Sequence, residues 1–182
     1  MSLLHYFGTI CDSARLFINV FLEQLKSSME KNLPKYFIDS FLRVRYAETD
    51  SMGIVYHANY LVWMEVGRTD YFRKLGFTYR DLESQYNLFI PIIEINCRYL
   101  ASAVYDDEVL VHTYVKQFNR RLVRFGYEIY RVNDNCKLCE GESAHLVVDR
   151  ERRRSSFPEK VLSAFQDHIY NIHNRKDEAS EC

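Results

Sequence analysis

The sequence predicts an α+β chain in which an antiparallel sheet of about five strands wraps around one long central helix, with extra helices toward the N and C termini. Three observations carry that reading. Residues Ala58 to Leu75 form an apolar-rich run of helical length. The segments after it alternate apolar and polar residues, the period of half-buried strands, with no second long helix between them. Turn-forming clusters separate those segments at hairpin spacing. One long apolar helix and a set of antiparallel strands share a core when the sheet curls around the helix.

The elements follow in order. Leu3, Phe7, Ile10, Ala14, Phe17, Phe21 and Leu25 recur at steps of four and three, so residues 1–34 read as an amphipathic helical extension. Asp12, Arg15 and Glu23 interrupt any membrane-spanning run, and the start lacks the Lys or Arg of a signal peptide. A packed or partner-covering helix is favoured over an interfacial membrane helix, because the polar face is not rich in Lys or Arg. An upstream start codon, with Met29 beginning the functional domain, is the other alternative.

Residues 35–176 form the main domain. Phe37, Phe41, Val44 and Arg45 suit a first strand within Tyr36–Tyr46, followed by a turn at Asp50 and Gly53. The central helix is apolar nearly all round, so it must be covered on most sides; Arg73, Lys74 and Gly76 end it. A short helix through Tyr79–Tyr86 comes next. Ile93, Ile95, Cys97 and Tyr99 alternate with polar residues, as do Val109, Val111, Thr113 and Val115, and Val123, Phe125, Tyr127 and Ile129 share one face. Asn119-Arg120-Arg121 and Asn133 to Lys137 connect these strands as hairpins, and Ser143–Arg150 is the last strand. Pro158 opens a final helix to about Asn174, and residues 177–182 form a flexible tail.

Composition narrows the function. A chain of 182 residues suits one such domain, and 24 Lys and Arg against 25 Asp and Glu leave no electrostatic footprint for nucleic acid or an anionic membrane. Five cysteines, an odd and sparse count, favour a reducing compartment, so the expected location is cytoplasmic. Cys136-Lys-Leu-Cys139 lacks the further ligands of a zinc site and reads as thiols around a hairpin turn, with a redox role the lesser alternative. No metal and no cofactor is expected.

The chemistry concentrates between Tyr46 and Tyr60. Asp50 is a lone carboxylate in a Gly-containing turn, and the helix that follows offers free backbone N–H groups to an oxygen that gains negative charge. A carboxylate facing such donors suits thioester hydrolysis. An isolated Asp before a helix also has a structural use as a cap. Glu65 on the apolar helix needs a partner, which Arg68 or Thr69 supplies at helical spacing. Asn59 and Tyr60 shape the helix start and the pocket wall.

The run Arg45-Tyr-Ala-Glu-Thr-Asp50-Ser-Met-Gly-Ile-Val-Tyr56-His57-Ala-Asn59-Tyr60-Leu-Val-Trp-Met-Glu65-Val-Gly-Arg68 resembles the 4-hydroxybenzoyl-CoA thioesterase-like family, the YbgC-type acyl-CoA thioesterases of the hot-dog fold. The resemblance continues through Pro91–Ala101, Tyr105–Val111 and Val148–Arg150 to Phe157–Glu159. It implies hydrolysis of acyl-CoA thioesters, with Asp50 as general base or nucleophile and the backbone N–H of His57 as oxyanion donor. It places Tyr56, Asn59 and Tyr60 at the substrate, and Arg120 and Arg121, with Arg150 and Arg152 to Arg154, are candidates for the coenzyme phosphates. It also implies a homodimer or homotetramer with sites across the subunit interface. The alternatives are an acyl-carrier-protein thioesterase, a hydrolase of an aromatic thioester such as 1,4-dihydroxy-2-naphthoyl-CoA, a noncatalytic acyl-CoA binding protein, and a hydratase.

Overall fold

The computed structural model describes residues 36–168, so the amphipathic stripe over 1–34, the end of the last helix and the tail over 177–182 lie outside the described residues. Strand β1 (Ile38–Arg43) leads through a 3₁₀ turn (Tyr46–Glu48) and the Asp50 turn into helix α1 (Ala58–Lys74). Helix α2 (Tyr79–Tyr86) and strands β2 (Leu88–Phe89), β3 (Ile92–Tyr99), β4 (Glu108–Phe118), β5 (Leu122–Arg131), β6 (Cys136–Leu146) and β7 (Val148–Asp149) follow. Helix α3 runs over 159–168 within the described residues.

The main sheet has the order β1-β4-β5-β6-β3, and β2 pairs with β7 in a separate ribbon; every pairing is antiparallel. Both β1 and β3 are edges. Helix α1 packs on this sheet through Tyr60, Trp63, Met64, Gly67, Arg68, Tyr71 and Phe72, a stripe at three- and four-residue steps. Each large apolar side chain of that stripe contributes about 1.5–3 kcal/mol by leaving water. Gly67 sets how closely helix and sheet approach: a Cβ there would run into Thr113 Oγ1 and lie 3.0 Å from Val111 Cγ1, both on β4. Helix α3 closes the far end of β4, where Phe165 stacks on Phe118 with ring centres 4.2 Å apart. No helix among the described residues is long and apolar enough to cross a membrane.

Local signals set the helix limits. Thr78 accepts from Asp81 N–H while the Asp81 carboxylate accepts from Thr78 N–H, and Asn87 ends α2 in the left-handed region at φ 52°. Arg73 and Lys74 lie in the last turn of α1, where their charge complements the helix dipole.

Four expectations are corrected. Helix α1 is not covered on most sides: Val62 and Val66 are 46% and 38% exposed, so its apolar excess leaves an open stripe. Glu65 has no ion pair among the described residues and is exposed, whereas Arg68 is the buried member, donating to Tyr79 Oη at 2.7 Å. The last strand breaks after Leu146, because Leu146 N–H turns to the Pro91 carbonyl and Val147 N–H to that of Arg121, freeing β7 to pair with β2. Strand β6 begins earlier than expected, so Cys136 and Cys139 stand on a strand and not in a turn.

Candidate active site

The chain leaves β1 at one end of the sheet and makes two small turns before α1. In the first, Glu48 is buried while its carboxylate accepts Arg45 N–H at 2.8 Å, Arg45 Nη2 at 3.0 Å and Trp63 Nε1 at 3.2 Å. Burial acts to raise the Glu48 pKa, but the bonds from Arg45 and Trp63 outweigh it and hold the carboxyl below its usual value. The Glu48 carbonyl accepts Tyr56 N–H at 2.9 Å and Asn59 Nδ2 at 2.8 Å. Glu48 therefore ties the 3₁₀ turn to the first and second turns of α1.

The second turn carries Asp50. Asp50 N–H donates to the Ile54 carbonyl at 2.8 Å, Gly53 N–H returns to the Asp50 carbonyl at 3.0 Å, and Gly53 takes φ +76°, which a side chain would strain. The carboxylate accepts Met52 N–H through Oδ1 at 2.8 Å. That bond caps the turn and orients the group, and Oδ2 has no protein partner among the described residues. Asp50 is half-buried at the surface of this turn.

His57 stands at the start of α1 with helical φ and ψ and no side-chain cap. Among the described residues no carbonyl engages the N–H of His57 or Ala58, so both remain available as donors. The His57 carbonyl accepts the Tyr99 hydroxyl at 3.1 Å, which anchors the helix start to the end of β3. The His57 ring is exposed and packs on the Tyr56 ring at 4.3 Å.

A cleft of about 280 Å³ opens at this helix start, walled by Ile54, Val55, His57, Tyr60, Tyr99, Leu100, Ala101 and Ser102. Of the expected substrate residues, Tyr60 is a wall of it, with its hydroxyl accepting Ala103 N–H at 3.2 Å. Asn59 is occupied with Glu48, and Tyr56 is exposed outside the cleft walls. Asp50, Tyr56, His57, Asn59 and Tyr60 thus gather at one end of the sheet.

Arg120 and Arg121 do not join them. The Asp50 turn lies beside the start of β4, since Val44 N–H bonds the Asp107 carbonyl and Arg43 pairs with Glu108. The arginines occupy the tip beyond Phe118, about 30 Å along the strand at roughly 3.3 Å per residue. Arg120 pairs there with Glu159 at 3.3 Å. Arg150 and Arg152 line a different cavity, of about 940 Å³, between α1, α2 and the β3 and β7 segments, and Arg153 is held by Asp149 at 2.8 Å. No group of three His, Cys, Asp or Glu among the described residues is placed to hold a metal ion.

Sequence reasoning missed Glu48, Tyr99 and the cleft wall over Leu100 to Ser102. Glu48 carried a weak signal, an acid three residues after Arg45 and just ahead of the Asp50 turn. Tyr99 carried none, because its partner lies 42 residues away.

Comparison with known proteins bears on this arrangement. Residues 44–165 match the Thioesterase-like superfamily. The chain is 43% identical over 126 residues to the putative acyl-CoA thioesterase YneP of Bacillus subtilis, covering 69% of this chain and 88% of that protein. It is 31% identical over 125 residues to the acyl-CoA thioesterase YbgC of Haemophilus influenzae, covering 68% and 90%. Among solved structures, a 1,4-dihydroxy-2-naphthoyl-CoA thioesterase from Synechocystis superposes with a TM-score of 0.67 at 20% identity, covering 72% of this chain and 97% of that one, a likeness of fold.

Proposed function

Because the chain belongs to the Thioesterase-like superfamily, we propose that it hydrolyses acyl-CoA thioesters at the Asp50 turn and the start of α1. The observation that carries the reading is the Asp50 carboxylate, held through one oxygen by Met52 N–H, seven residues ahead of a helix start; among the described residues its other oxygen has no partner and the His57 N–H is unengaged. Asp50 acts either as general base on water or as nucleophile forming a mixed anhydride with the acyl group. The oxyanion accepts the His57 N–H, reinforced by the positive end of the α1 dipole. Tyr60 and Tyr99 wall the acyl side.

The reading includes a symmetric homodimer or a dimer of dimers. The exposed Val62, Val66, Ile93 and Ile95, and the unpaired edge of β3, are surfaces that a second copy covers. Arg120 and Arg121 meet coenzyme phosphates from that second copy, since their own Asp50 turn is at the other end of β4.

Asp50→Asn tests the site. The amide keeps an oxygen for Met52 N–H, so the thermal midpoint should hold, while thiol release from a panel of acyl-CoAs falls by at least about 10², because the amide neither takes a proton nor attacks effectively. Near-normal turnover in that variant sinks the assignment. Two readouts separate the roles: label entering Asp50 in single turnover in oxygen-labelled water, or an acyl group trapped on Asp50 by hydroxylamine, marks the nucleophile.

A further inference from the structure

Two thiols behind the helix-start cleft have no place in the hydrolytic reading. Cys97 on β3 and Cys139 on β6 sit diagonally across neighbouring strands, where Tyr99 pairs with Cys139 and Cys97 with Gly141. Their sulfur atoms are 3.1 Å apart. A disulfide closes at about 2.05 Å, so about 1 Å of approach separates the dithiol from the bond. Cys139 is fully buried and Cys97 half-buried, which makes Cys97 the one a small reagent meets. Cys136, the sequence neighbour of Cys139, instead turns its thiol to the Lys137 carbonyl at 3.9 Å.

The two sulfurs are not equivalent. The Cys139 thiol, 3.1 Å away, holds the Cys97 thiol below its usual pKa, with the neighbouring Tyr99 hydroxyl acting in the same direction, both against the opposing effect of burial. The same bond and burial push Cys139 up. Tyr99 is the link to the site, because it stands opposite Cys139 in the β3–β6 register and gives its one hydroxyl hydrogen to the His57 carbonyl at 3.1 Å. The sulfur pair and the helix start are therefore joined through one residue, Tyr99, which lies two positions along β3 from Cys97 and is paired with Cys139.

We propose that Cys97 and Cys139 form an oxidisable dithiol which a hydroperoxide converts to a disulfide, and that Tyr99 passes the change to His57. The Cys97 thiolate attacks the terminal peroxide oxygen, the O–O bond breaks, and an alcohol or water leaves, giving a sulfenic acid. The Cys139 sulfur then displaces the sulfenic oxygen as water. The pair loses two electrons and two protons, and the hydroperoxide is reduced to one alcohol, or water, and one further water. The disulfide draws β3 toward β6 beside Tyr99, which is paired with Cys139, so Tyr99 no longer holds His57 in place. This last step rests on the proposed role of His57 N–H; the oxidation itself does not.

The test uses the full chain with Cys11, Cys136 and Cys182 replaced by Ser, titrated with hydrogen peroxide. Two thiols should disappear together, the intact mass should fall by two hydrogens, and digestion should yield a Cys97–Cys139 linked peptide. Thiol release from acyl-CoA should fall about tenfold and return on reduction, a part of the roughly 10² to 10³ that one oxyanion donor carries. In Tyr99→Phe the disulfide should still form, with equal turnover before and after oxidation. Untouched thiols, or Cys97 driven to sulfinic acid without a cross-link, overturn the dithiol. A disulfide that leaves wild-type turnover unchanged overturns the coupling. A reduced chain that hydrolyses no acyl-CoA counts against the thioesterase reading alone, since the mass measurements still decide the cross-link.

Discussion

Glu48→Gln is expected to lower the thermal midpoint by about 5–10 °C at pH 7 and to slow thioester turnover with it. The carboxylate accepts Arg45 N–H at 2.8 Å and Trp63 Nε1 at 3.2 Å, and an amide cannot accept on both sides. Whichever way it turns, its NH₂ faces a donor, and an unpaired buried donor costs about 1–3 kcal/mol. The ion pair with Arg45 adds little, because the guanidinium is 73% exposed. Glu48 is buried, so the upper part of that range, about 2–3 kcal/mol, applies, and it converts at roughly 2–4 °C per kcal/mol for a chain of this size. The pH dependence follows from the lowered Glu48 pKa. A carboxyl depressed in the folded state stabilises above its unfolded value, about 4.5, and that stability is lost as pH falls through the folded value. The gap between wild type and variant should therefore be full at pH 7 and shrink below about pH 4.5. Thermal unfolding at several pH values and thiol release at pH 7 measure both effects. A midpoint within about 2 °C of wild type at pH 7, or a gap that widens in acid, refutes the reasoning.

Three further outcomes are expected. His57→Ala and His57→Tyr keep the backbone donor and should retain turnover within about tenfold; a loss of about 10² or more in both, with the fold intact, would move catalysis to the imidazole and reopen the hydratase reading. His145, whose Nε2 bonds Ser143 Oγ at 2.7 Å, is pushed down to about 3 by burial and by the Arg68 charge, so folding strips its proton. Wild-type stability should fall with pH below about 6.5, by up to about 1.4 kcal/mol per unit, and His145→Gln should flatten that slope; parallel curves would count against a buried neutral imidazole. Ile95→Lys puts a charge on the exposed face of edge strand β3 and should give a monomer of low turnover in light scattering and thiol-release assays, whereas an unchanged oligomer would place the subunit contact elsewhere.

Where one stretch of chain carries both the signal and its consequence, the sequence determined the outcome. Helix α2 spans the expected Tyr79–Tyr86 because Thr78, Asp81 and Asn87 bound it locally. Strands β4 and β5 are legible from their period of two, and the Asp50 turn and helix start from a contiguous motif; β3 forms where its alternation places it, but its Ile93, Ile95 and Tyr99 face is exposed and not half-buried as expected. Tertiary structure alone decided which buried groups meet. It chose Tyr79 and His145, and not Glu65, as the company of Arg68; it paired Cys139 with Cys97 and not with Cys136; and it sent Arg120 and Arg121 to the end of β4 away from Asp50. The physical reason is that periodicity records which face of an element leaves water, a property of neighbours three or four residues apart or alternating along a strand. Partners such as Cys97 and Cys139, 42 residues apart, are selected by strand order and register, which exist only once the whole sheet has closed on α1.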